Sequence, residues 1–173
     1  ANACNKLGIR LVYVSTDYVF NGEKGLYTEE DIPAPINYYG QTKLEGEVQV
    51  RKNCTDHLTL RTSVLYGWHK QKSNFATWII SALRNGTPIK VADDHFNSPT
   101  LRDNLVEIIV EMLQKGLKGT YHTAGDERIS RYEFARAVAK TFNLDEKLIT
   151  PTKRDKLTIW IAKRPPDSSL CVS

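Results

Sequence analysis

The sequence predicts an α/β protein: the C-terminal part of a doubly wound, Rossmann-type parallel sheet joined to a smaller, mostly helical unit. Three observations lead there. Residues 1–7 read as a helix that ends at Gly8 and passes directly into a β-branched apolar run, Ile9 to Val14, which is half of an α/β repeat. A second run, Leu58 to Thr62, follows an intervening helical stretch. Ser15-Thr16-Asp17 stands at the carboxyl end of the first run, the edge of an open α/β sheet that faces a ligand crevice.

After that strand, Asn21-Gly22-Glu23-Lys24-Gly25 is a turn, and the stretch through Glu29-Glu30-Asp31 to Pro33 and Pro35 is a loop without periodicity. Asn37 is the expected N-cap of a helix carrying Tyr39, Lys43, Leu44 and Val48. Tyr66-Gly67-Trp68 turns the chain after the second strand, which sets a boundary near residue 68: 1–68 in the Rossmann domain, 69–173 in the second unit. Residues 119–124 are placed to return to the main sheet. Phe75, Trp78, Ile79, Ala82 and Leu83 recur at helical spacing, a stripe that reads as core packing, and Asn85-Gly86-Thr87-Pro88 ends that helix. Ile89-Lys90-Val91 is a short strand.

Thr100 is the expected N-cap of a helix whose inner face is Leu101, Leu105, Ile108, Ile109, Met112 and Leu113. Gly119 to Gly125 reads as a strand and turn, with His122 packed or hydrogen-bonded. Ser130-x-x-Glu133 is a capping box for a helix facing inward with Phe134, Val138 and Phe142. Beyond Leu148 the pattern thins into a polar, proline-containing tail that reaches Arg164-Pro165-Pro166-Asp167-Ser168-Ser169-Leu170.

Composition narrows the function. The formal charge of +4 comes from lysines and arginines scattered along 173 residues, which is a solvated surface rather than a nucleic-acid footprint. Cys4, Cys54 and Cys171 are odd in number and far apart, with no zinc-like spacing, so a reduced, cytoplasmic protein without a metal is expected. Three adjacent residues, Asp93-Asp94-His95, cannot converge on one ion from an extended loop. No run reaches the length of a membrane span. Opening without methionine and closing without a terminating pattern, the chain reads as an internal piece of a longer protein.

The chemistry gathers at Tyr39-Gly40-Gln41-Thr42-Lys43. Four residues apart on a helix, the phenol and the ammonium project from one face. A lysine close to a phenol favours the phenolate, and a tyrosine so placed can exchange a proton with a substrate oxygen. Ser15-Thr16-Asp17-Tyr18-Val19-Phe20 lies some twenty residues before it, and Arg61-Thr62-Ser63-x-x-Tyr66-Gly67 on the next strand. With these three segments the sequence resembles the extended short-chain dehydrogenase/reductases, and within them the dTDP-4-dehydrorhamnose reductase family. Glu29-Glu30-Asp31-x-Pro33-x-Pro35, Ser98-Pro99-Thr100, Gly119-Thr120-Tyr121-His122 and Arg164-Pro165 extend the resemblance along the whole chain.

The resemblance implies NADPH or NADH as cofactor and a nucleotide-linked 4-keto-deoxysugar as substrate, with no nucleic-acid or membrane partner and a homodimer as one assembly open to it. It implies Tyr39 as proton donor, Lys43 as the group that tunes it and bonds the nicotinamide ribose, Thr16 on the reacting oxygen, and Asp17 on the sugar. Val64, Asn74, Thr100 and Arg164 are further substrate candidates; a guanidinium such as that of Arg164 suits a diphosphate. Two departures stand out. No glycine-rich turn cradles a pyrophosphate here, so roughly a hundred residues, three strand-helix units of about 30 each, are expected upstream. Val64 stands where the bacterial reductases carry tryptophan. An aliphatic residue there also occurs in the regulatory subunit of methionine adenosyltransferase, which leaves a non-catalytic NADP-binding subunit as one alternative. An epimerase or dehydratase of a related nucleotide-sugar is another.

Overall fold

The computed structural model describes residues 1–157 and 162–172. Helix α1 (Asn2–Leu7) ends at Gly8, whose φ of 62° is the left-handed conformation that glycine adopts without a Cβ clash. Strand β1 spans Leu11–Thr16, two residues later than its apolar run. The reason is local: the Ile9 N–H still bonds the Cys4 carbonyl at the helix end, so pairing starts only at Leu11.

Helix α2 (Tyr38–Asn53) is capped by Asn37, whose side chain accepts from the Gly40 N–H at 2.8 Å, and it crosses to β2 (His57–Thr62), parallel to β1. Next come the two-residue strand β3 (Leu65–Tyr66) and α3 (Phe75–Arg84), which opens with a capping box between Asn74 and Thr77. Strand β4 (Ile89–Ala92), the short strands β5 (Phe96–Asn97) and β6 (Thr100–Leu101), and α4 (Arg102–Gln114) follow.

Thr100 is not the cap of α4. It is paired in β6 against β3, its hydroxyl donates to the Ser63 carbonyl at 2.7 Å, and Leu101 takes the cap position without a side-chain bond. Strand β7 (Gly119–His122) lies parallel to β2 and gives the main sheet the order β1-β2-β7. The apolar face of α4 covers this sheet, with Met112 packed beside Leu58 and Leu60. Residues from both sides of position 68 thus build one sheet and its covering helix.

Strand β8 (Ile129–Ser130) runs antiparallel to β5, and α5 (Arg131–Thr141) starts at the Ser130/Glu133 capping box. Phe134 and Val138 are buried, whereas Phe142 is not on the inner face: the helix ends at Thr141, and Phe142 meets Trp68 edge-on at the surface. The stretch after Leu148 departs from the expected tail as well. It forms β9 (Ile149–Thr152), parallel to β4, in which Ile149 alone is buried, too short an apolar signal to register as a period. Ile79, Leu83, Ile89, Val91, Phe134, Val138 and Ile149 form the core of this second unit.

The final segment is buried rather than solvated. Leu170, 1% exposed, packs with Val19, Phe20 and Tyr27, and the Tyr27 backbone bonds Ser169 and Cys171 at 2.9 and 2.7 Å. A Cβ on Gly22 or Gly25 would overlap Pro165 or Asp167, so both glycines serve this close approach. Among the described residues, no helix is long and apolar enough to cross a membrane.

Candidate active site

The site grows from the carboxyl end of β1 and the first turn of α2. Thr16 closes β1, and its oxygen accepts the Tyr18 N–H at 3.2 Å, turning the chain into a single 3-10 turn over Asp17–Val19. Gly40 lets α2 approach that turn, since a Cβ there would overlap the Tyr18 carbonyl oxygen. The close approach sets Tyr39 edge-on to Tyr18 with ring centroids 6.0 Å apart and leaves the Tyr39 ring half exposed. Thr16, Asp17, Tyr18, Tyr39, Val64 and Arg131 line a cleft of about 180 Å³.

Lys43, one helical turn further on, lies against β1: its Nζ donates to the Val14 carbonyl at 2.5 Å and sits 4.4 Å from the Tyr13 ring centroid. Tyr39 and Lys43 therefore share the α2 face that looks onto the end of β1. Deeper on that face, Glu47 accepts from Ser15 at 2.5 Å and from Arg61 Nη2 at 2.7 Å. This buried ion pair fixes the rotation of α2 on the sheet.

Val64 and Arg131 also border a larger groove of about 580 Å³, in which Asn74, Phe75, Trp78 and Arg164 take part. The two spaces share Val64 and Arg131 as walls. Arg131 is oriented by Asn97, whose Oδ1 accepts its Nε at 2.7 Å, and it lies 4.7 Å from the Phe75 ring centroid. Val64 has φ of 44°, a left-handed conformation that a β-branched residue rarely adopts, so backbone strain sits at the junction of cleft and groove.

Asp17 is the best-enclosed carboxyl of the site. It accepts from Thr16 at 2.9 Å, Ser63 at 2.8 Å and Ser168 at 2.5 Å, with Asn97 Nδ2 at 3.5 Å. Burial pushes its pKa up; the bonds from Ser168, Ser63 and Thr16 and the Arg131 charge pull the other way. Tyr18 is pushed above the ordinary phenol value by burial and the Asp17 charge, against the pull of Arg164 and Arg131.

Of the residues singled out in the sequence, Thr16, Asp17, Tyr39 and Val64 meet in the cleft, and Val64, Asn74 and Arg164 in the groove. Asn74 uses its side chain locally, accepting from the Thr77 N–H and donating to the Gly67 carbonyl. Thr100 borders neither space and stays buried between β3 and β6. Ser63 belonged to a motif segment without an assigned role, and Asn97, Arg131 and Ser168 were not signalled in the sequence. Arg131 sits inside a capping box, directly after its N-cap Ser130, and Ser168 in a proline-containing tail, and neither context marks a site.

A tyrosine, a threonine and a lysine at the carboxyl end of a parallel α/β sheet define a protein of the short-chain dehydrogenase/reductase class. Within it, the chain belongs to the family described as the RmlD substrate binding domain, whose model matches residues 1–173. A solved dTDP-4-dehydrorhamnose reductase from Bacillus anthracis, in complex with NADP, is 33% identical; the match covers 99% of this chain and 60% of that one, with a TM-score of 0.93. Methionine adenosyltransferase 2 subunit beta of Rattus norvegicus is 35% identical over 171 residues, 95% of this chain and 51% of its own length. A probable low-salt glycan biosynthesis reductase of Haloferax volcanii is 35% identical over 177 residues, 100% of this chain and 59% of its own. The chain spans between half and three fifths of these relatives.

Proposed function

We propose that the chain carries the catalytic and sugar-binding part of an NAD(P)H-dependent reductase. Its substrate is the 4-keto group of dTDP-4-dehydrorhamnose and its product dTDP-L-rhamnose. The observation that carries this reading is the cleft shared by Tyr39 and Thr16, which shares Val64 and Arg131 as walls with an apolar groove bearing cationic side chains. A sugar fits the first space. A nucleotide fits the second, with its base against Phe75 and Trp78 and its diphosphate near Arg131 and Arg164.

Tyr39 and Lys43 are the residues to hold the nicotinamide ribose, because both project from one face of α2 beside the end of β1. The pyrophosphate has no cradle at Gly22 or Gly25, which are occupied by Pro165 and Asp167. When bound, the cofactor supplies a hydride to the carbonyl carbon. Charge then develops on the carbonyl oxygen, and the Tyr39 hydroxyl donates its proton there. The Lys43 ammonium, one turn behind, stabilises the negative charge left on the phenol.

The test is NADPH oxidation by the protein of the complete reading frame with dTDP-4-dehydrorhamnose, wild type beside Tyr39→Phe. Loss of the positioned acid lowers turnover by about 10²-fold or more, with NADPH affinity unchanged. Turnover surviving in the variant would remove Tyr39 from the role. A second reading, a non-catalytic NADP-binding partner of methionine adenosyltransferase, is favoured by Val64 and by the 35% identity to that enzyme's beta subunit. Wild-type protein that binds NADPH and oxidises none would move this reading ahead.

A further inference from the structure

Every charged side chain in the wall of the larger groove is a cation. Lys90, Arg131 and Arg164 line it, and among the described residues no carboxylate does. The amide of Asn74 is spent locally, accepting from the Thr77 N–H and donating to the Gly67 carbonyl. The charged wall therefore only donates hydrogen bonds, and it suits a ligand rich in acceptors.

The three cations are not equivalent. Arg131 and Arg164 are anchored past the carboxyl end of β4. The Arg131 N–H bonds the His95 carbonyl at 2.9 Å, and its Nε bonds Asn97 at 2.7 Å. The Arg164 carbonyl accepts from Arg154, whose own N–H bonds Asp94 at 2.8 Å. Lys90 is the second residue of β4, at the other end of a strand that rises about 3.3 Å per residue. Ile89 and Val91 turn into the core, and Lys90 stands on the opposite, exposed face. Among the described residues it makes no hydrogen bond or ion pair. Its ammonium is thus held apart from the guanidinium pair and is not consumed by the fold.

The phosphates belong to the guanidinium end, where Arg131 is also a wall of the cleft. From there the base runs along Trp78, which is 41% exposed, and its edge farthest from the ribose meets Lys90. We propose that Lys90 reads this edge and selects a pyrimidine with a keto oxygen at position 4, as in thymine or uracil, over one with an amino group there, as in cytosine. An ammonium has three donors and no acceptor: it bonds the keto oxygen and has nothing to offer the amino hydrogens. A site built around one donor rejects the analogue that cannot accept from it. The inference rests on the placement of the nucleotide in this groove given above, not on the reduction itself.

The probes are deoxyuridine diphosphate and deoxycytidine diphosphate, which differ at position 4 and the adjoining ring nitrogen. Both are titrated by calorimetry into the protein of the complete reading frame, with NADPH saturating its own site, wild type beside Lys90→Met. Wild type binds the uridine nucleotide about tenfold or more tightly than the cytidine nucleotide, the effect of one hydrogen bond from a charged donor. Lys90→Met weakens the uridine nucleotide about tenfold and the cytidine nucleotide less than about twofold, so the preference disappears. Equal weakening of both would assign Lys90 to the phosphates and overturn the proposal. A wild type that does not discriminate, or a preference that survives in Lys90→Met, would overturn it as well. If wild type binds neither nucleotide, the groove is no nucleotide site, and the proposal falls together with the reductase reading. If the preference depends on Lys90 but dTDP-4-dehydrorhamnose is not reduced, the reductase reading falls alone.

Discussion

His95 is buried beside three guanidinium groups, and this enclosure governs its titration. Burial, then the charges of Arg131, Arg164 and Arg154, hold its pKa down to about 3, against 6.5 for an ordinary imidazole. Below pH 6.5 the unfolded chain takes up a proton that the folded chain refuses, so this residue makes stability fall as pH drops from about 6.5 towards 3. Asp17 acts in the opposite sense. Its raised folded pKa favours the folded state in acid, a contribution lost as pH rises through that pKa. Urea unfolding of wild type and His95→Gln at pH 7 and pH 5 separates the two, because only the histidine is changed. The variant is expected to lose about 2 kcal/mol less between those pH values, the equivalent of 1.5 pH units below 6.5. Parallel losses would mean that His95 accepts its proton in the folded protein. The same scale shows what a sequence can reveal of a site. Tyr39, Lys43 and Thr16 were legible because their spacing and strand-end position are local. The contacts that Ser63, Asn97 and Ser168 make with Asp17 were not, since they span 46, 80 and 151 residues.

Helix α2 illustrates how an element is recognised by its ends and seated by something else. Asn37 marks its start, and the structure places the cap there. Its docking, however, does not follow an apolar stripe: only Gly40, Glu47 and Val50 of its residues are buried. Two glycines permit close approach, to the Tyr18 carbonyl at Gly40 and to the Tyr13 hydroxyl at Gly46. The Glu47–Arg61 pair then locks the rotation that aims Tyr39 and Lys43. Arg61→Met leaves Glu47 buried without its cation, at a cost of about 3–5 kcal/mol in urea unfolding. The double variant Glu47→Leu/Arg61→Met removes both charges and is expected to be more stable than Arg61→Met alone. Equal stability of wild type and Arg61→Met would show the pair to be dispensable for seating the helix. Helix α3 was legible through its apolar periodicity, and α5 through its capping box and apolar face. Strand β9 and the strand position of Thr100 were not, because one- and two-residue apolar signals are supplied by distant strands rather than by the local sequence.

At the scale of the molecule, the parallel sheet and the second unit are tied together by the segment that looked least structured. Residues 165–170 carry two prolines, an aspartate and two serines, a composition that ordinarily remains in solvent. They are inside because their polar groups find partners. Ser168 meets Asp17, the Ser169 hydroxyl donates to Asp167 and accepts the Leu26 N–H, and Arg128 pairs with Asp167. Satisfied in this way, the segment can bring one large apolar side chain, Leu170, between Val19, Phe20 and Tyr27. Phe20 and Tyr27 stack there at 4.2 Å between centroids. Leu170→Ala leaves a cavity in this cluster and is expected to cost about 2–5 kcal/mol by urea unfolding. The hydroxyl of Ser168 is untouched by that change, so the activity per folded molecule should remain near wild type. An unchanged urea midpoint would mean that the segment lies on the surface and adds little to the fold. A fall in activity per folded molecule would instead mean that Leu170 and the Ser168–Asp17 hydrogen bond act as one unit.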